Sequence, residues 1–404
     1  MSALLIIYPR VKWESSARKP LYKAIARATA GVARVLIVNR PIWPPATFRK
    51  THGSLLACLA GGSSPKRIEE NLFLFTPWIP VHDQLALGFS GMVSLNKFIL
   101  RRQIEGAIKK LGAGDLTRIS FVGHPLQYDW LGIAGESLKI YECVDEYSAY
   151  PGRSEEQSER MDKYEAALLR EVDITLVVSR ELLNSKVTEN GSTYLVPNAV
   201  DFEHFSRALD NETQLPVDIS AVAPPVIGFT GGIWGIFDLQ LLKFIATERP
   251  EWHLLLVGNL SESAPGSFCA EFEELTVLEN VTWLGWRDYE TLPGYLKAMD
   301  VCLLPYVIDD WTKNCYPSKL HQYLAAGKPV VSTDLPEIRP FKDVVRIANS
   351  REEFLTMVEE SLAEKDESLV SERIRVASEN TWDVRARKIA EVIRERINRS
   401  VASG

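Results

Sequence analysis

Two series of short, mostly apolar runs alternate with stretches of helical periodicity, and this alternation constrains the fold more than any other feature. The first series lies at 4–8, 35–39, 72–75, 119–123, 139–143, 174–179 and 193–197, and the second at 226–229, 253–258, 281–285, 301–305, 329–333 and 344–348. Runs that are apolar on both faces are typical of strands in parallel sheets covered by helices on each side. The pattern predicts an α/β protein with two doubly wound, Rossmann-like sheets.

The length of the chain and the position of its prolines suggest where the two sheets separate. A chain of 404 residues favours two domains. A stretch with little periodicity carries Pro216, Pro224 and Pro225 and is typical of a linker. We predict an N-terminal domain over 1–205, a linker over 206–225, a C-terminal domain over 226–382 and a final helix over 383–404. Because open α/β sheets bind ligands at the carboxyl ends of their strands, two such domains would face each other across one cleft.

Composition excludes several classes of protein. Hydrophobic residues make up 46% and charged residues 25%, which excludes a disordered or collagen-like chain. No apolar run reaches the length of a membrane span, and the apolar start of the chain is expected to form a strand rather than a signal peptide. The five cysteines are scattered without CxxC spacing, so neither a zinc site nor a disulfide framework is indicated. The expected location is cytoplasmic.

Charge is distributed unevenly along the chain. Residues 1–112 contain 17 Lys and Arg against 5 Asp and Glu, a net charge of +12, whereas the whole chain carries −7. Such asymmetry suggests that the N-terminal part contacts an anionic surface or ligand. Within 85–112, apolar and basic residues are interleaved: Phe89, Met92, Leu95, Phe98 and Ile99 with Lys97, Arg101, Arg102, Lys109 and Lys110. This favours contact with the inner face of a membrane over contact with nucleic acid, but an ordinary amphipathic helix with a solvated basic face is the simpler explanation and is preferred to both.

Two motifs follow strands of the second series. Gly231 and Gly232 come directly after the first of them and would let a diphosphate approach the backbone, although a tight strand-to-helix turn also explains them. In the second motif, 306–333, Pro317 is expected in the first turn of a helix that Gly327 ends. Lys319 and Gln322 are three residues apart, so they should share a face of its first turn and form an anion site with an amide beside it. The alternative is a solvated lysine with a glutamine of no special role.

The second motif and several other segments resemble the GT-B fold glycosyltransferases. The resemblance rests on 140–150, 164–182, 196–205, 283–306 and 317–337. In these segments the sequence is similar in particular to bacterial enzymes of the teichuronic-acid and exopolysaccharide type. It implies that the C-terminal domain binds a nucleotide sugar, that the N-terminal domain binds the acceptor, and that the final helix crosses back to the first domain.

Residue roles on the donor side are implied by the same resemblance. Gly231 and Gly232 would lie against the donor diphosphate, Trp286 and Arg287 in the loop that meets the base, and Tyr306 beside it. Ser318 and Lys319 would contact phosphate, and Gln322 stands where many relatives hold the ribose with a glutamate. Retaining relatives often carry two glutamates eight residues apart, and here Asn314 and Gln322 occupy those positions. The Lys–Gln pair resembles the xanthan-type glucuronosyltransferase, an inverting enzyme, and both stereochemical outcomes stay open.

On the acceptor side the resemblance points to Asp145 as the general base, because it follows a strand of the N-terminal domain. Physical chemistry agrees, since inversion needs a base beside the acceptor hydroxyl. A role for Asp145 in a turn or cap is the alternative. Glu146 could share the task. His124 could assist the acceptor or act as the base, but a structural histidine is the preferred explanation. Glu165 would lie near the cleft or on a solvated face.

These observations together predict a glycosyltransferase that moves a sugar from a nucleotide diphosphate sugar, with UDP favoured, to a hydroxyl of a glycan or lipid-linked acceptor. No cofactor is expected, and without an Asp-x-Asp pair in the sequence no carboxylate site for Mg²⁺ is expected either. The competing hypotheses are a nucleotide-sugar epimerase or phosphorylase of the same fold, a non-catalytic donor-binding partner of another glycosyltransferase, and a nucleic-acid-binding protein that uses 1–112.

Overall fold

The computed structural model describes residues 3–43, 64–81, 90–186, 192–262 and 264–402. Its first sheet has the order β3-β4-β2-β1-β5-β6-β7-β8. The strands are β1 Ala3–Tyr8, β2 Ala33–Val38, β3 Lys66–Glu69, β4 Leu72–Phe75, β5 Thr117–Val122, β6 Leu138–Cys143, β7 Ile174–Val177 and β8 Thr193–Leu195. All neighbouring strands are parallel except β3 and β4, which are antiparallel.

Helices cover both faces of this sheet. They are α1 Lys19–Ala28, α2 Ser90–Lys110, α3 Glu155–Glu171 and α4 Arg180–Ser185. The short helix α5 Phe202–Ser206 follows in the chain, and its Phe205 is buried in the core of the second sheet. Successive residues of β1 belong to two different hydrophobic cores: Leu5 packs in the core that includes α1, and Ile6 in the core that includes α2 and α3. Since a strand turns alternate side chains to opposite faces, a strand buried on both sides must be apolar throughout.

The second sheet is parallel throughout and has the order β11-β10-β9-β12-β13-β14. Its strands are β9 Val226–Thr230, β10 His253–Val257, β11 Val281–Trp283, β12 Val301–Leu304, β13 Val330–Thr333 and β14 Arg346–Ala348. Its helices are α6 Leu239–Glu248, α7 Gly266–Thr276, α8 Leu292–Ala298, α9 Lys319–Ala325, α10 Arg351–Leu362 and α11 Glu367–Glu379. The predicted class, α/β with two doubly wound sheets, is confirmed.

The last helix, α12 Trp382–Ala402, returns to the first sheet. Trp382, Ala386 and Ile389 are buried in the same core as α1. Asp383 forms an ion pair of 2.9 Å with Arg27 of α1. The chain therefore crosses between the two sheets at two places, once near 200–225 and again at the start of α12.

Each sheet contains one point at which the strand order reverses. In the first sheet it lies between β1 and β5, and in the second between β9 and β12. Loops that leave such neighbouring strands diverge to opposite faces, which opens a crevice at their carboxyl ends. Arg10 and His124 follow β1 and β5, whereas Gly231 and Tyr306 follow β9 and β12.

Helix α2 exposes apolar side chains as well as basic ones. Leu100, Ile104 and Ile108 are buried, but Leu95 is 45% and Phe98 56% exposed. Phe89 lies outside the described residues. Among the described helices, none is long and apolar enough to cross a membrane.

Candidate active site

Gly231 brings the backbone of the second sheet into contact with Lys319. Its N–H donates to the carbonyl oxygen of Val257 at 2.8 Å, and its φ of +145° lies in a region that favours glycine. A Cβ atom at this position would lie 2.5 Å from Cε of Lys319. The lysine side chain therefore crosses directly over Gly231, at the reversal point of the sheet.

The ammonium group of Lys319 is half-buried and pairs with no carboxylate of the described chain. Its Nζ donates to Oε1 of Gln322 at 3.4 Å, which confirms that the two share one face of α9. Burial lowers the pKa of Lys319 to about 8, because it removes water from around the charged form. An anion bound here would restore the lost stabilisation.

Helix α9 itself begins later than the sequence suggested. It starts at Lys319, with Ser318 before it, so Pro317 precedes the helix instead of lying in its first turn, although the carbonyl of Pro317 accepts from the N–H of Leu320. The Ser318 hydroxyl forms no capping bond. With seven residues, α9 has a weak dipole, and the anion site depends mainly on the lysine. Gly327, at φ +69°, follows the end of the helix as predicted.

The loop that carries Trp286 lies next to this glycine turn. The carbonyl of Gly285 accepts from the N–H of Gly258, and a Cβ on Gly258 would overlap the carbonyl oxygen of Gly231. Trp286 is 61% exposed and available to a ligand.

Arg287 and Tyr306 are held by the protein itself. The guanidinium of Arg287 forms an ion pair of 2.8 Å with Asp218 and donates to the hydroxyl of Tyr295 at 3.0 Å. The ring of Tyr306 is buried and packs edge-on against Phe237. Gly232, by contrast, has open space where a Cβ would stand. Trp286 and Gly232 are therefore the more accessible of these residues.

Asp309 is half-buried and forms hydrogen bonds within its loop. Its Oδ1 accepts from the N–H groups of Trp311 and Thr312, at 3.0 and 2.7 Å, and so orders the turn before Lys319. Asn314 donates to the carbonyl of Asp310 in the same turn. Asp310 is exposed and lies near Lys313.

On the other side of the cleft, Asp145 forms an ion pair with Arg10. Burial raises the pKa of Asp145 above its usual value, and the charge of Arg10 opposes that rise. A carboxylate whose pKa is raised is a stronger base than an exposed one. This pairing was not apparent from the sequence.

Glu146 belongs to a buried cluster centred on Lys186. The Nζ of Lys186 lies 2.8 Å from Oε1 of Glu146 and 2.8 Å from Oε2 of Glu165. Glu165 also accepts from the hydroxyl of Tyr141 at 2.6 Å, so it is buried and not on a solvated face. The cluster holds the loop that carries Asp145.

His124 caps a short 3-10 helix. Its Nδ1 accepts from the N–H of Leu126 at 3.1 Å, and its ring packs edge-on against Tyr147 at 4.7 Å. Burial, assisted by the charges of Arg10 and two other arginines, lowers its pKa to about 3. A neutral ring that accepts through Nδ1 carries its proton on Nε2. His124 is therefore a hydrogen-bond donor on its remaining nitrogen.

Contacts between the two halves place these two sets of residues in one cleft. The ring of Tyr150 stacks on Trp234 at 5.0 Å with an interplanar angle of 22°. Asn198 donates to the carbonyl of Tyr316 at 2.6 Å. Burial and then the charge of Asp145 raise the pKa of the Cys315 thiol, so Asp145 acts electrostatically on the loop that leads to Lys319.

Sequence reasoning missed Arg10, Lys186 and Tyr150. Each depends on a partner far along the chain, and only its place at the end of a strand or helix gave any signal. Within the described ranges, no group of three or more His, Cys, Asp or Glu side chains is arranged to hold a metal ion.

Comparisons with known proteins agree with this geometry. The family model for glycosyl transferases group 1 matches residues 224–371. The protein TuaH of Bacillus subtilis (strain 168), which is named as a teichuronic acid biosynthesis glycosyltransferase, is 30% identical over 67% of this chain and 69% of its own.

Solved structures share the whole fold at low identity. Sucrose-phosphate synthase from Thermosynechococcus elongatus superposes with a TM-score of 0.67 at 15% identity, over 98% of this chain and 99% of its own. HepE of Anabaena, in complex with UDP and glucose, gives 0.65 at 14% identity, over 97% and 100%. The fold is GT-B, and the chain belongs to the group 1 glycosyltransferases.

Proposed function

We propose that this glycosyltransferase moves a sugar from a UDP-sugar to a hydroxyl of a glycan or lipid-linked acceptor in the synthesis of a polysaccharide or glycolipid. The observation that carries the proposal is the ammonium of Lys319, half-buried over Gly231 without an ionic partner among the described residues. We place it in the same cleft as Asp145, because the charge of Asp145 acts on Cys315, in the loop that leads to Lys319. A diphosphate is the ligand that would neutralise it.

In the proposed reaction Asp145 removes the proton of the acceptor hydroxyl while the hydroxyl oxygen forms a bond to the anomeric carbon. The bond between that carbon and the diphosphate breaks, and UDP leaves with the electron pair. Lys319 and the backbone N–H groups near Gly231 and Gly232 stabilise the negative charge that develops on the leaving group. Direct attack assisted by one base gives inversion, and no protein-bound metal is part of the proposal.

The preference for UDP rests on two solved structures of the same fold. HepE of Anabaena was solved with UDP and glucose, and a trehalose-6-phosphate enzyme of E. coli was solved with UDP-2-fluoro glucose. The exposed ring of Trp286 would stack on the base. Gln322, beside the lysine, would hydrogen-bond the ribose hydroxyls.

Replacing Asp145 with Asn tests the assignment of the base. Turnover of a UDP-sugar should fall by about 10²-fold or more, while UDP affinity stays unchanged because the residue lies on the acceptor side. Asp129→Asn is the matched control, since Asp129 forms a half-exposed ion pair with Lys97. A near-normal rate in Asp145→Asn would remove Asp145 from the mechanism.

A panel of nucleotide sugars in a thermal-shift assay tests the donor, because a ligand that binds only the folded state raises Tm. Isomerised sugar from donor alone would indicate an epimerase instead. Donor binding without transfer to any acceptor would indicate a non-catalytic binding protein. Either result would contradict the proposal.

We also propose that α2 contacts an acidic membrane leaflet, where a lipid-linked acceptor would lie. Leu95 and Phe98 are exposed, and the guanidinium of Arg102 lies 5.7 Å from the ring of Phe98. Apolar side chains beside basic ones suit an interfacial helix. Phe98→Ser should weaken binding to acidic vesicles. Val277→Ser, a change at a residue that is 78% exposed in the second half, should not. Equal binding by both variants would refute the contact.

A further inference from the structure

Among the residues that the structure describes, the acceptor side of the cleft contains more positive charge than its carboxylates neutralise. Arg10 is paired with Asp145, and the guanidinium of Arg153 lies 5.4 Å from the ring of Tyr150. Arg153 forms no ion pair with a carboxylate among the described residues. The neighbouring Glu146 does not supply the missing charge, because Lys186 already binds it.

Contacts through aromatic rings and the backbone place these cations around the ring of Tyr147. Arg10 lies 5.5 Å from the ring of Tyr147, and His124 packs against the same ring. The hydroxyl of Tyr147 donates to the carbonyl of Gly123, which ties this loop to the end of β5. Arg10 and Arg153 both lower the pKa of His124, after the larger effect of burial, so both guanidinium groups act on one imidazole.

The polar groups around the Tyr147 ring are mostly hydrogen-bond donors. A guanidinium has no acceptor, and His124 can offer only its Nε2–H. Asp145 is the exception, and it is the proposed base. A region of donors with surplus positive charge suits an anion, since charge-assisted hydrogen bonds from arginine to phosphate or carboxylate are strong and often bidentate.

We propose that the acceptor carries an anionic group, a phosphate or a carboxylate, that binds to Arg10 and Arg153 beside the hydroxyl that Asp145 deprotonates. This inference rests on the proposed function and names the chemical class of its acceptor. An anion that takes up Arg10 also withdraws it from Asp145. The carboxylate then loses its counter-charge and becomes a stronger base at the moment when the acceptor is in place.

The test measures binding of three probes to the full chain saturated with UDP. Glucose 6-phosphate carries a phosphate, glucuronate carries a carboxylate, and methyl glucoside is neutral. By calorimetry, at least one anionic probe should bind about tenfold to a hundredfold more tightly than methyl glucoside, the range expected for a charge-assisted hydrogen bond. Whichever anion is preferred identifies the source of the charge.

Arg153→Gln should reduce this preference to near equality, and Arg153→Lys should restore part of it. Arg160→Gln is the matched control, because Arg160 also lies over a tyrosine ring, at 5.7 Å from Tyr164, but on α3. Equal binding of all three probes to the unaltered protein, or an undiminished preference in Arg153→Gln, would overturn the inference.

The experiments distinguish a failure of the proposed function from a failure of this inference. Anion preference is measured without any transfer, so it would persist in a protein that transfers no sugar. Conversely, transfer of sugar to a neutral acceptor by a protein without anion preference would support the proposed function and overturn only this inference.

Discussion

Replacing Lys319 with Met should stabilise the ligand-free protein while weakening its binding of UDP. Methionine fills the volume of the lysine stem over Gly231 but carries no charge. The lysine ammonium is destabilised by burial, because no described carboxylate offsets the loss of water. The same charge would be favourable once a diphosphate is bound, so stability and ligand binding should change in opposite directions.

The size of the effect follows from the pKa. In the folded protein the pKa of Lys319 falls from its ordinary value of 10.5 to about 8. At 1.36 kcal/mol per pKa unit, the charged form is destabilised by about 3 kcal/mol. The weak hydrogen bond to Gln322, at 3.4 Å, is lost in the variant and offsets a small part. We expect the free energy of unfolding at pH 7 to rise by about 2 kcal/mol.

The sign of the stability difference between Lys319→Met and the wild-type protein can be checked by changing the pH. Below about 8 both folded and unfolded Lys319 hold the proton, so the full penalty is present. As the pH rises from about 8 towards 10.5, the folded state releases its proton before the unfolded state does, and the wild-type protein gains stability relative to Lys319→Met. The difference between the two proteins should therefore shrink over that range.

Denaturant unfolding without nucleotide gives the stabilities, and calorimetric titration gives the UDP affinities. Lys328→Met is a matched control: burial also lowers the pKa of Lys328, but its Nζ donates to the carbonyl of Lys297 instead of lying over the glycine turn. This control should bind UDP normally. A Lys319→Met protein that is no more stable than wild type and binds UDP equally well would refute the reasoning.

Three further predictions concern the same cleft. UDP affinity should fall as the pH rises through about 8, since bound diphosphate favours charged Lys319. Titration calorimetry should show no such fall for Lys319→Arg, and a wild-type affinity that does not change with pH would contradict the prediction. Gly231→Ala should weaken UDP binding at least about tenfold, because its Cβ meets the lysine stem. Gly106→Ala, in α2 of the first half, has open space and is the control; equal affinities of the two variants would contradict the close contact. His124→Asn should retain turnover, because an amide oxygen can still accept from Leu126; a large loss would make His124 part of the chemistry.

Apolar runs predicted the parallel strands well, because a strand buried on both faces has few polar positions. The strand that was missed, β3 Lys66–Glu69, is the antiparallel edge strand of the first sheet and has the sequence KRIE. Its residues are half-buried or exposed, so no apolar run marked it. Edge strands often carry charge that prevents pairing with other chains, and this property hides them from hydrophobic periodicity.

The sequence located single residues of the site better than their partners. Spacing alone placed Lys319 beside Gln322, because three residues along a helix bring side chains to one face. The pair of Arg10 and Asp145 joins the ends of β1 and β6, 135 residues apart along the chain. In the sheet these two strands lie on either side of β5, and only this order of strands brings their ends close together. Likewise, Arg287 was expected in the loop that meets the nucleotide base of the donor, and nothing near it in sequence indicated its ion pair with Asp218.

The proposed donor site has a cation without its anion, and the proposed acceptor site has a carboxylate already paired with an arginine. Together they explain why both substrates would be needed for a fast reaction. Without ligands, Lys319 is a cation with no ionic partner in the described part of the chain, and Asp145 is an anion held by Arg10. A donor alone would neutralise the lysine but leave Asp145 paired with Arg10, and so a weaker base towards water than it becomes once Arg10 is withdrawn. An anionic acceptor would draw Arg10 away and complete the base. In the proposed mechanism hydrolysis of the donor is therefore slow, because the group that would activate water is released only when the acceptor occupies its place.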